Sequence, residues 1–221
     1  EFSTAVKPTD VANIQYTSGT TGQPKGVMLT HRNQVNNGKM LAWGMRYTER
    51  DRICVPVPLY HCFGCVIGTM SALASGAAMV LPSWTFDPRA TLQAVQAEGA
   101  TSLYGVPAMF IAELGLPDFK LYDLSSLRTG MMAGAPCPVE VMKRVMCEMR
   151  CAELTIGYGQ TESAPVVIPV PGATVDPADA TTAPVTVPAL VPLPPVSVWT
   201  EPSFRPPASA LTSRVAPAET L

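Results

Sequence analysis

Proline sets the outer limit on what this chain can fold into. Of its 23 prolines, twelve lie in residues 169–221, beside one glycine, no lysine and six charged residues. Each proline fixes φ and removes a backbone donor, so neither a helix nor a central strand persists at that density. Residues 167–221 therefore read as a Pro-rich, disordered tail. Residues 1–10 read as a leader and 11–166 as one domain. Hydrophobic residues make up 47% of the chain, enough for a packed core in that span.

Within the domain, strand-like and helix-like segments alternate. Residues 13–17 and 26–30 are apolar and flank a Gly/Thr-rich loop. A helix is expected from His31, with Thr30 as its N-cap. Residues 52–59 are β-rich, but Pro56 and Pro58 restrict them to an edge or an irregular strand. Residues 63–81 carry no charge. Gly64, Gly68 and Gly76 interrupt them, so they read as a buried helix stopping at Ser75-Gly76, then a strand at 77–81, and not as a membrane span. Asp87-Pro88 has the chemistry of a cap followed by a first helical residue, opening a helix to Ala97. Strands at 101–106 and 127–133, helices at 108–114 and 138–151, and a last strand at 153–158 complete the pattern. Repeated β-then-α order predicts an α/β fold, a layered, mostly parallel sheet with flanking helices. Ligands of such sheets sit at the C-terminal ends of the strands.

A formal charge of −2 without a Lys/Arg stripe argues against nucleic acid as a partner. No signal peptide is visible. The six cysteines are expected to be reduced thiols. Cys62 and Cys65 have C-x2-C spacing and Cys147 and Cys151 lie one helical turn apart, so with His61 a zinc site is the alternative. Cys147 and Cys151 read better as an apolar helix face.

Three motifs carry chemistry. Thr17-Ser18-Gly19-Thr20-Thr21-Gly22-Gln23-Pro24-Lys25-Gly26 joins two apolar strands. Its glycines let the backbone approach a ligand, its amides and hydroxyls suit phosphate oxygens, and Lys25 adds a point charge. It is not a Walker A loop, because Pro24 precedes the lysine and Gly26 follows it. In Pro58-Leu59-Tyr60-His61-Cys62-Phe63-Gly64, one imidazole lies among apolar and aromatic groups. His61 has the chemistry to hydrogen-bond a carboxylate or acyl-phosphate oxygen, although a lone histidine is more often structural. Gly157-Tyr158-Gly159-Gln160-Thr161-Glu162 follows an apolar strand, and taken alone reads equally as a turn with a solvated glutamate. A fourth run, Gly134-Ala135-Pro136, is built of small residues that admit a flat ring close to the backbone.

The stretch YTSGTTGQPKGVMLTH, with PLYHCFG, AGAPCP and YGQTES, resembles the signatures of the adenylate-forming (AMP-binding) superfamily. It looks most like the medium-chain acyl-CoA synthetases of that family, over residues 11–166. The resemblance implies part of the family's large domain, with ATP, Mg2+ and coenzyme A as cofactors or co-substrates. It implies a fatty acid converted to acyl-AMP and then to acyl-CoA, and a mitochondrial matrix location. It assigns the phosphate loop to Thr17–Thr21, Gly22, Pro24, Lys25 and Gly26. It assigns the adenine pocket to Gly134, Ala135 and Pro136, continued by Gly157, Tyr158, Gly159 and Gln160. Tyr158 is implied to stack on adenine, Thr161 to bond the α-phosphate, Glu162 to hold Mg2+, and His61 to meet the acyl carboxylate. The family's Gly-Asp ribose anchor and its lid lysine have no counterpart here, Lys143 being the last lysine. Adenylation far below that of a full-length synthetase is therefore expected. An inactive product that at most binds nucleotide or a partner chain is the alternative, and oligomeric state is left open.

Overall fold

The apolar segments become a sheet between two helical layers in the computed structural model, which describes residues 6–17, 24–163 and 166–167. The strands are β1 (Val11–Thr17), β2 (Lys25–Thr30), β3 (Arg52–Cys54), β4 (Ala78–Val80), β5 (Ser102–Gly105), β6 (Thr129–Ala133), β7 (Glu153–Gly159) and β8 (Val166–Val167). The α-helices are α1 (His31–Gly44), α2 (Ser71–Ser75), α3 (Pro88–Glu98), α4 (Pro107–Leu114) and α5 (Val139–Glu148). A π-helix, Phe63–Met70, runs directly into α2. β1 and β2 form an antiparallel ribbon, and the larger sheet has the order β4-β3-β5-β6-β7-β8. Its first five strands are parallel, and β8 adds antiparallel to β7.

β5 and β6 are buried at every position, as central parallel strands with both faces covered must be. Side-chain alternation sends neighbours to opposite faces. Leu103 and Met132 join Leu92, Val95, Phe110 and Val145 beneath α3, α4 and α5. Tyr104 and Met131 join Leu41, Ile53, Phe63 and Ile67 beneath α1 and the π-helix.

Local chemistry starts and stops the elements. Thr30 caps α1 by accepting from Asn33 N (3.2 Å), and the Asn33 side chain accepts from Thr30 N (3.0 Å). Asp87 caps α3 through Ala90 N at 2.7 Å, with Pro88 in the first turn. Gly76 ends α2 at φ 74°, as the Ser75-Gly76 stop predicts.

The structure departs from expectation in three places. Of residues 52–59 only Arg52–Cys54 form a strand, since Pro56 and Pro58 withhold ladder donors. The charge-free helix winds as a π-helix over most of its length. The strand after Cys151 is not the last, because Val166–Val167 pairs with Tyr158 and Gly159. The tail beyond Val167, read as disordered, lies outside the described residues. No helix among the described residues is long and apolar enough to cross a membrane.

The N-terminal ends of the strands are laced together. Arg128 grips Asp51 through two bonds of 3.0 Å, reaches Arg46 O at 3.1 Å and approaches Glu153 at 3.4 Å. Thr101 Oγ1 and Thr48 N also donate to Asp51, at 2.7 and 2.8 Å. Burial alone would raise the Asp51 carboxyl, but these bonds outweigh it and hold the group below the usual carboxylate range. Beside them, Tyr47 Oη lies 2.6 Å from Ser102 Oγ and donates to Tyr104 Oη at 3.0 Å.

Candidate active site

At the opposite, C-terminal end of the sheet lie the segments that follow β3, β6 and β7, which the second, fourth and third motifs occupy. The ladder between β1 and β2 pairs Thr17 with Lys25 and Tyr16 with Gly26, so the strands that flank the Gly/Thr-rich segment run antiparallel. Ser18, Gly19, Thr20, Thr21 and Gly22 lie outside the described residues. Lys25 is exposed at the start of β2. A side chain at Gly26 would meet Ile14 Cγ2 at 3.2 Å and the Tyr16 ring at 3.7 Å, which gives this glycine a cross-strand packing reason.

The second motif follows β3. His61 N donates to Pro58 O at 3.2 Å, and Cys65 N donates to His61 O at 2.9 Å. A Cβ at Gly64 would fall 2.4 Å from the Pro58 carbonyl oxygen, so only glycine lets the π-helix start fold back against its own approach segment. The Phe63 amide donates to His61 Nδ1 at 3.0 Å. In the neutral imidazole this bond requires an unprotonated Nδ1 and places the ring proton on Nε2. Burial lowers the His61 pKa, which favours that neutral form.

The fourth and third motifs leave adjacent strands side by side. Ala133 of β6 pairs with Gly157 of β7, so Gly134 and Tyr158 follow from neighbouring rungs. Gly134 sits at φ 85°, a left-handed turn that glycine adopts at little cost. Gly134, Ala135 and Pro136 are exposed, and the Tyr158 ring is 77% exposed, available as a stacking face. Gly159 ends β7, Gln160 follows it, and a 3-10 turn covers Thr161–Ser163. That turn packs against β2. Thr161 is buried and Glu162 exposed. A single exposed carboxylate fits Mg2+, which takes one or two protein carboxylates and fills its remaining positions with phosphate oxygens and water.

Two contacts tie the motifs together that the sequence reading missed. Cys62 Sγ lies 3.5 Å from Thr161 Oγ1, joining the second motif to the third across 99 residues. Asn13 Nδ2 donates to Cys65 Sγ at 3.5 Å, joining the hairpin to the π-helix. Burial pushes the Cys62 thiol up, partly offset by its bond with Thr161, so it stays protonated at neutral pH. The only sequence signal was the C-x2-C spacing, which pointed to zinc. Among the described residues no three His, Cys, Asp or Glu side chains are arranged to hold a metal ion. Cys147 is exposed, while Cys151 is buried with its thiol pushed up to about 12.

A family model described as AMP-binding enzyme matches residues 2–198. The Bacillus subtilis protein YngI is 58% identical over 158 residues, covering 72% of this chain and 29% of YngI. The mitochondrial medium-chain acyl-CoA ligase ACSF2 of Danio rerio is 49% identical over 159 residues, covering 71% of this chain and 26% of that protein. Among solved structures, the anthranilate CoA ligase AuaEII in complex with anthranoyl-AMP superposes with a TM-score of 0.65 at 26% identity, covering 72% of this chain and 31% of that one. The chain thus spans between a quarter and a third of the length of these relatives.

Proposed function

We propose, from the premise that this chain belongs to the AMP-binding enzyme family, that its site holds ATP while a fatty acid carboxylate is activated to an acyl-adenylate, which coenzyme A then converts to acyl-CoA. The observation that carries this reading is the convergence of the hairpin, the His61 loop and the Thr161 turn at one end of the sheet, linked by the Cys62–Thr161 contact.

In the first step a carboxylate oxygen attacks the α-phosphorus, the bond to the β-phosphate breaks, and pyrophosphate leaves. Chemistry of this kind asks the protein for positioning and for neutralisation of developing charge. The segment with Thr17, Ser18, Gly19, Thr20, Thr21, Gly22, Pro24, Lys25 and Gly26 supplies amides and hydroxyls to the β- and γ-phosphates, and Lys25 opposes their charge. Tyr158 stacks on adenine beside Gly134, Ala135, Pro136, Gly157, Gly159 and Gln160. Thr161 donates to an α-phosphate oxygen. Glu162 would hold Mg2+, which when bound neutralises and draws together phosphate oxygens. His61 presents Nε2–H as a fixed neutral donor to the carboxylate or acyl-phosphate oxygen, because its Nδ1 is occupied by the Phe63 amide.

The medium-chain substrate and a mitochondrial location are supported by the name of the Danio rerio relative. Residues 11–166 carry the site, between a leader at 1–10 and the Pro-rich segment 167–221. A second reading is the inactive alternative named above. In it the chain binds nucleotide, or a partner chain, without turnover. Calorimetric titration with ATP and Mg2+, followed by pyrophosphate exchange with octanoate, separates the two. Binding with exchange is the expected result. Binding without exchange selects the second reading, and absence of ATP uptake overturns adenylation and leaves only the partner-chain form of the second.

A further inference from the structure

We propose that Cys62 is a positioning residue whose thiol donates a hydrogen bond to the Thr161 hydroxyl and so leaves the hydroxyl's own proton directed at the bound phosphate. This rests on the nucleotide role given to Thr161 above.

A thiol has one proton to give. Among the described residues two acceptors lie near Cys62 Sγ, namely His61 Nδ1 at 3.7 Å and Thr161 Oγ1 at 3.5 Å. The imidazole nitrogen is already taken by the Phe63 amide at 3.0 Å, which leaves the threonine oxygen. Both side chains are buried, Cys62 to 5% and Thr161 to 7% exposure, so bulk water competes poorly for either group. Cys62 is itself packed against Leu29 of β2 and Val66 of the π-helix, which fixes the sulfur. A threonine hydroxyl accepts on its lone pairs and donates once. If Thr161 donated to sulfur, nothing on that side chain would remain for an anion. With the thiol as donor, the hydroxyl is held in one rotamer and keeps its proton free. Cys62 thereby couples the loop that presents His61 to the turn that presents Thr161 and Glu162, and the two loops meet the nucleotide as one unit.

The test uses the full 221-residue chain as wild type, Cys62→Ala, Cys62→Ser, Thr161→Val and the double variant Cys62→Ala/Thr161→Val. The Thr161 χ1 rotamer, read from methyl NMR couplings without nucleotide, is expected to be single in wild type and Cys62→Ser and averaged in Cys62→Ala. Titration with ATP and Mg2+ is expected to show roughly 3- to 10-fold weaker binding in Cys62→Ala, the worth of one hydrogen bond. Cys62→Ser restores affinity, and the double variant binds no more weakly than Thr161→Val alone. A Thr161 rotamer indifferent to Cys62→Ala, failure of serine to rescue, or additive losses in the double variant would each overturn the proposal. Should wild type take up no ATP, the adenylation reading fails by itself, and the rotamer measurement still decides whether Cys62 fixes Thr161.

Discussion

The two ends of the parallel sheet are built on opposite principles. At the N-terminal end, Arg128, Asp51, Thr101, Thr48 and Glu153 satisfy one another within hydrogen-bond reach, and backbone carbonyls at Met45 and Arg46 are drawn in. At the C-terminal end, Gly134, Ala135, Pro136, Tyr158 and Glu162 are exposed. The first end uses its polar groups to hold strands in place, while the second leaves its groups at the surface, where the proposed nucleotide would meet them. Elements with such different duties should fail differently, in stability at one end and in binding at the other.

The largest effect is expected from Arg128→Ala. It leaves the Asp51 carboxylate buried without its main partner, which costs about 2–4 kcal/mol after allowing for the partial exposure of Arg128. Urea denaturation reads this directly. The pH dependence sharpens it. Asp51 is held below its ordinary value in the fold, so its contribution is complete above about pH 4 and is lost as pH falls through the lowered value. The variant should show a flatter acid limb than wild type, and an unchanged limb would mean that Asp51 gains nothing from the arginine.

A smaller effect of opposite sign is expected in the core between the two ends. Glu113 of α4 is 1% exposed, and neither carboxyl oxygen has a hydrogen-bond partner among the described residues. Burial raises its pKa well above the usual range, so the fold holds a proton there that the unfolded chain releases. Stability therefore falls as pH rises above about 4, the unfolded value. Glu113→Leu should raise stability at pH 7 by about 1–3 kcal/mol and remove that slope. A destabilised Glu113→Leu would reveal a partner that the fold supplies to the carboxyl.

The smallest stability change is expected at the open end. Glu162→Gln should shift the unfolding midpoint by no more than about 0.5 kcal/mol equivalent, because the side chain is exposed. ATP uptake in the variant should lose its dependence on Mg2+. A loss of stability above about 1 kcal/mol would assign Glu162 to the first kind of end instead.

Much of the fold is local chemistry and can be read from neighbouring residues. Thr30 with Asn33, Asp87 with Pro88, and Ser75 with Gly76 mark helix ends through interactions a few residues long. Apolar runs between them mark strands, and their order with the helices predicts a parallel sheet. Proline at 56 and 58 marks the irregular exit from β3, although the strand proved shorter than its composition suggests. The π-helix was not legible, since an apolar run reads alike at several helical periods. Its winding goes with the close approach of Gly64 to the Pro58 carbonyl and with the bond from Thr69 Oγ1 to Gly64 O at 3.2 Å. Two-residue β8 was missed for a similar reason, because a strand so short is defined by its pairing and not by its composition.

From residue order came the hairpin frame around Lys25, the alternation of elements and the three loops at strand ends, because caps, turns and periodicity act over a few positions. The meeting of those loops came from packing. Cys62 and Thr161 touch because β3 and β7 run parallel within one sheet, each releasing its loop at the same edge. Likewise Arg128 finds Asp51 77 residues away only after the strands align. Contacts between distant residues are set by how the layers stack, and no local pattern records them.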